Sequence, residues 1–229
     1  MKLAWFSSSR FRGVLLFTVS AACLMAASST PAATAPGGLG APNRFIGAAK
    51  CSNCHKSEAI GNQYGKWKES KHATAFEVLA SDKAKELAKA RGIDDPQKSD
   101  ACLKCHVTAL GVAAEQIAKG FDPALGVQCE SCHGPGEQHM KARVAAAVKA
   151  GEGAPAPMTE GEINTAVNAD SCLKCHNSES PSFKAFCFPA RHARIVHLNP
   201  GKKRDEEEVR KLTRGCTTPD CKDCASSGG

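Results

Sequence analysis

The stretch Cys51-Ser52-Asn53-Cys54-His55 decides how this chain is read. Two cysteines three apart with a histidine directly after the second make the attachment pentapeptide of c-type haem. The same Cys-x-x-Cys-His pattern returns as Cys102–Cys105–His106, Cys129–Cys132–His133 and Cys172–Cys175–His176. On one helical turn the two sulfurs of each motif reach the haem vinyl groups as thioethers, and the histidine comes under the ring to ligate iron. Zinc or disulfide use would not require the repeated terminal histidine. The expected cofactors are therefore four covalently attached c-type haems, held by Cys51, Cys54, Cys102, Cys105, Cys129, Cys132, Cys172 and Cys175. The proximal ligands are His55, His106, His133 and His176.

Each iron has a sixth position, and the chain of 229 residues has eight histidines. Four lie outside the motifs: His72, His139, His192 and His197. Four spare histidines for four open positions fit bis-histidine ligation throughout, with Met140 and Met158 the other candidate ligands of the body. Bis-histidine ligation lacks the potential-raising methionine of single-haem cytochromes c, so low reduction potentials are expected.

Composition supports a body built around cofactors. Aromatic residues make up 5%, with one tyrosine and two tryptophans, of which Trp5 precedes the body. A soluble domain of this size ordinarily carries more core-forming side chains. Porphyrin plates would supply the missing apolar surface, and the apo-chain should fold poorly. The net charge of +7 falls to about +4 without Lys2, Arg10 and Arg12. The propionates of four haems outweigh the charge of four ferric cores and bring the total near zero. The basic balance therefore says little for a nucleic-acid partner.

The chain divides into residues 1–27, 28–44, 45–200 and 201–229. The first reads as an export signal, with basic Lys2, Arg10 and Arg12 before the apolar run Gly13–Ala27. That run is short for a membrane span. Cys23 lies where a lipoprotein would be cleaved and lipidated, although Ser20 stands where leucine is usual, and ordinary cleavage a few residues later is the alternative. Residues 28–44 read as a flexible linker. Export places the protein on the periplasmic or extracellular side, with Cys23 as the one candidate membrane anchor. Residues 45–200 are the tetrahaem domain. Its fold class is mainly α with extensive loops and little or no β-sheet, since no run alternates like a strand. Helices are expected over 70–91, 137–150 and 205–214, ended by Gly92, Gly151 and Gly215. The segments Asp100–His106 and Asp170–His176 form a partial repeat, but first-cysteine spacings of 51, 27 and 43 exclude a solenoid. Residues 201–229 form a tail with Cys216, Cys221 and Cys224. These and Cys187 lie outside every haem motif, and an oxidising compartment favours disulfides for them over a metal site or free thiols.

Three segments resemble the tetrahaem cytochrome c-554 family. They are Cys51–Lys56 followed by Trp67–Ala73, then Gly126–Gly136 with His139 just after, and the late Cys172–His176. The resemblance spans most of residues 45–200. It implies that His72 caps the last haem, held at His176, and that His139 caps the first, held at His55. It further implies that His192 or His197 caps the third, held at His133. The second haem, at His106, can be five-coordinate in the family. The resemblance also implies closely packed haem pairs forming an electron path. Its partners would be redox proteins, quinol-linked or other cytochromes.

Three functions compete. An electron carrier needs only haem positioning, ligation and shielding. An enzyme reducing nitric oxide, nitrite or a similar small oxide would need an open second haem. Against it, no motif ends in the lysine common in multihaem nitrite reductases. The single tyrosine, Tyr64, is also far in sequence from any cross-link such as hydroxylamine oxidation uses. No catalytic residue is assigned, and the carrier is favoured. The third function is a protomer of an extracellular haem filament or other oligomer, engaged through a histidine or the cysteine tail.

Overall fold

The computed structural model describes residues 42–151, 156–165, 167–183, 185–203 and 205–207. Each haem motif lies on or at the end of a short helix. The first occupies the C-terminal half of α1 (Ala48–His55). After α2 (Gln63–Lys68) and α3 (Asp82–Lys89), the second ends α4 (Asp100–His106). The third is α5 (Glu130–His133), with Cys129 as its N-cap. The long helix α6 (Glu137–Ala150) follows. The fourth begins in α7 (Ala169–Leu173) and finishes in the turn beyond it. Last comes α8 (Phe188–His192). Short 3-10 turns at Glu58–Ile60, Glu77–Ala80, Ala114–Gln116 and Pro123–Leu125 join these pieces. The fold is mainly helical. Among the described residues strand pairing is limited to one parallel bridge, Phe45 with Ile117.

The expected helix over 137–150 is present with those bounds and stops at Gly151, whose φ is +58°. The expected helix over 70–91 is broken. Residues 70–76 form turns, Glu77–Ala80 is 3-10, and only Asp82–Lys89 is α-helical. The cause lies in two competing contacts. The His72 carbonyl accepts from Val127 N at 2.9 Å and from Ala75 N at 3.2 Å, so it is diverted from an i+4 helical partner. Ser81, extended at ψ 152°, then caps α3 by accepting from Ala84 N. Of the expected helix over 205–214, residues 208–214 lie outside the described residues. So do Cys23, Cys216, Cys221 and Cys224.

The buried apolar set of the described residues is small: Ile46, Ala48, Ala75, Leu79, Ala88, Val107 and Cys187. Cys187 is disulfide-bonded, the use expected of it. Polar side chains do much of the joining. Gln128 is 1% exposed; its Oε1 accepts from Ala48 N and its Nε2 donates to the Asp122 carbonyl, both at 2.8 Å. Glu130 is 3% exposed and accepts from Ile46 N, Gly47 N and Gly136 N at 2.7–3.1 Å. The orphan N–H groups at the start of α1 are thus satisfied by side chains flanking and inside the third motif. Asn43 and Arg44, at the end of the compositional linker, also bond to the body. Asn43 Nδ2 donates to the Pro135 carbonyl, and Arg44 pairs with Glu137 at 2.5 Å.

Candidate haem-binding site

Three motif histidines come together with three of the histidines outside the motifs. Ring centroids of His55 and His139 are 6.3 Å apart, those of His72 and His176 are 6.1 Å apart, and those of His133 and His197 are 5.9 Å apart. Each pair joins one motif histidine to one from elsewhere in the chain. Two metal–nitrogen bonds of about 2 Å, with an imidazole on each side, put ring centroids roughly 6 Å apart. The donor sets therefore fit a six-coordinate haem iron.

Local hydrogen bonds orient the rings. Nδ1 lies 3.3 Å from Gln63 Oε1 in His55 and 2.6 Å from the Asn164 carbonyl in His133. It lies 2.8 Å from Glu162 Oε1 in His139 and 2.9 Å from the Ile195 carbonyl in His197. With Nδ1 so engaged, Nε2 is the nitrogen left for a metal. Burial lowers the pKa of His55, His72, His176 and His197, and a facing imidazole lowers it further in His55, His72 and His197. The neutral ring favoured by these surroundings is the form that binds metal.

His106 stands outside the three pairs. Its Nδ1 is 2.5 Å from the carbonyl of buried Ala75, in the same turn segment that carries His72. His192 stacks on Phe188 at 5.0 Å within α8, while His176 stacks on Phe186 at 4.7 Å. Of the two histidines after the last motif, it is thus His197 that faces His133.

The attachment cysteines also meet across motifs. Cys51 hydrogen-bonds to Cys129, which raises the Cys51 thiol pKa. Burial pushes Cys175 up to about 12, with Cys105 adding through charge and a hydrogen bond. Burial pushes Cys132 up to about 11, with Cys172 adding. Before haem attachment these eight cysteines are free thiols. Motif one thus lies beside motif three and motif four beside motif two, while Cys132 of motif three and Cys172 of motif four interact through charge.

The side chains that build this geometry were the part sequence reading missed. Glu130, Gln128, Glu162 and Asn164 carry no motif signal. Gln128 and Glu130 do fall inside the Gly126–Gly136 segment that carries the family resemblance, but nothing in that segment marks them out.

Residues 50–134 match the family model described as cytochrome c554 and c-prime. Over this stretch the chain is similar to the c554-type multihaem cytochromes. It is 37% identical over 119 residues to cytochrome c-554 of Nitrosomonas europaea, covering 50% of this chain and 48% of that protein. It is 29% identical over 102 residues to the multihaem cytochrome MtrA of Shewanella baltica, covering 39% of this chain and 27% of that one. The chain thus spans about half, or less, of the length of the curated relatives it matches. No solved structure matches it. No helix among the described residues is long and apolar enough to cross a membrane.

Proposed function

We propose that this chain is an exported tetrahaem electron carrier of the c554 type. The observation that carries the reading is the three facing histidine pairs, each with one motif and one non-motif member. His139, His72 and His197 are read as the distal ligands opposite His55, His176 and His133. Haem supplies the one-electron redox chemistry; the chain's task is to hold, orient and shield it. The neighbouring cysteines of motifs one and three and of motifs four and two, with the electrostatic link between Cys132 and Cys172, favour an electron path in the order first, third, fourth, second motif. Redox proteins would meet the chain at its two ends, on the periplasmic or extracellular side.

The test is stoichiometric. Haem analysis of the mature protein should give four haems per chain, and a reductive titration should take up four electrons at low potential. A reduced chain mixed with an oxidised cytochrome acceptor should then lose its electrons in an outer-sphere reaction. Two or fewer haems per chain would rule the reading out.

A second reading has one observation behind it. His106 lies outside the facing pairs, so the second haem is the candidate site for reducing nitric oxide, nitrite or a similar oxide. A high-spin iron that binds nitric oxide and turns it over would favour this reading. Four low-spin irons would end it.

A further inference from the structure

His139 differs from the other oriented histidines in the oxygen its ring faces. His55, His106, His133 and His197 turn Nδ1 to a side-chain amide or a backbone carbonyl, all neutral. His139 turns Nδ1 to the carboxylate of Glu162 at 2.8 Å. Glu162 is itself built in: its side chain is 5% exposed. Arg143, one turn along α6 from His139, reaches it with Nη2 at 2.7 Å from Oε2 and Nε at 2.7 Å from Oε1. Thr159 donates to Oε2 from both its backbone N and its hydroxyl at 3.3 Å. The Arg143 Nη1 is fixed in turn by the Ala156 carbonyl at 2.7 Å.

We propose that Glu162, anchored by Arg143 and Thr159, is a positioning residue that makes the His55–His139 site the lowest-potential iron of the chain. This rests on the reading of His139 as a distal ligand. A buried carboxylate accepting the Nδ1–H bond gives the ring imidazolate character and strengthens donation from Nε2. Stronger donation, with a negative charge nearby in a low dielectric, favours the more positive oxidation state of the iron it binds. A neutral carbonyl or amide gives less of both. At His133 and His197, the oriented rings of another facing pair, Nδ1 meets a backbone carbonyl instead.

The experiment uses the haem-loaded protein, titrated potentiometrically with each iron followed by low-temperature electron paramagnetic resonance. His139→Ala first identifies which low-spin signal belongs to this site. Glu162→Gln should then raise the midpoint of that signal by the equivalent of a tenfold or greater change in its reduction equilibrium, about 59 mV for one electron. The g-values of that signal should move while the others stay in place. Glu162→Asp should recover part of the shift. Arg143→Met, which leaves the carboxylate without its cation, should move the midpoint the opposite way. A merely structural role for Glu162 would not give opposite signs. If His139→Ala removes one low-spin signal but Glu162→Gln leaves its midpoint and g-values unmoved, the tuning role is overturned and the ligand reading stands. If His139→Ala removes no low-spin signal, both are overturned.

Discussion

Glu130 shows how a single side chain can hold two haem motifs in register. It sits between Cys129 and Cys132, yet its carboxylate binds the backbone that opens α1 and the Gly136 N–H. Hydrogen bonds to a charged group are worth about 1.5–3 kcal/mol each, and buried N–H groups left unmade carry a similar penalty. Glu130→Ala should therefore lower stability by roughly 3 kcal/mol or more, read as a shift in the denaturation midpoint of the haem-loaded protein. A shift under ~0.5 kcal/mol would mean those donors find other partners. At the same scale, His197→Ala should convert one low-spin iron to high spin, whereas His192→Ala should leave the count unchanged. Resonance spectra of the two variants separate these outcomes. The histidines were legible in the sequence as candidates, because a ligand must be one of few residue types. Which of His192 and His197 faces His133 was not legible. It depends on the path of the chain after α8, where Val196 N bonds back to the His192 carbonyl before His197 turns inward.

Among the elements, the turn over residues 70–76 carries His72 toward His176. Periodicity of Ala73, Phe76 and Leu79 suggested continuous helix, and such spacing cannot report a carbonyl captured by a distant strand of backbone. The capturing segment is Gly126–Val127. Gly126 has φ +75°, and a Cβ there would lie 2.6 Å from the His72 carbonyl oxygen. Only glycine fits both the conformation and the approach. Gly126→Ala should cost about 1–3 kcal/mol through strain and displacement. It should also weaken the His72 ligation first, seen as loss of one low-spin signal at a lower temperature than in the parent protein. If all signals melt together with unchanged midpoint, the turn does not depend on that contact. By contrast α6 was read with its observed bounds. Its limits, Glu137 after Gly-Pro-Gly and Gly151 at the end, are local signals that need no tertiary partner.

For the whole molecule, the described residues bury few large apolar side chains. Of the seven buried residues of the apolar set, three are alanine and one is a disulfide-bonded cysteine. The shortage of aromatic residues was visible in composition, and the mainly helical, loop-rich fold in the lack of any run that alternates like a strand. Buried Gln128, Glu130 and Thr108 were not foreseeable, since polar residues at a core position leave no periodic mark. Chains in which the motif cysteines are replaced in pairs should lose order step by step. The fully unattached chain should show little helical circular dichroism and no cooperative melt. Cooperative unfolding of that chain would mean the polypeptide holds itself together without haem. The account as a whole rests on histidines facing each other across iron. Near-infrared magnetic circular dichroism of the oxidised, haem-loaded protein measures that directly, by counting bis-histidine low-spin irons per chain. The account predicts at least three, assigned to His55–His139, His72–His176 and His133–His197; two or fewer would contradict it.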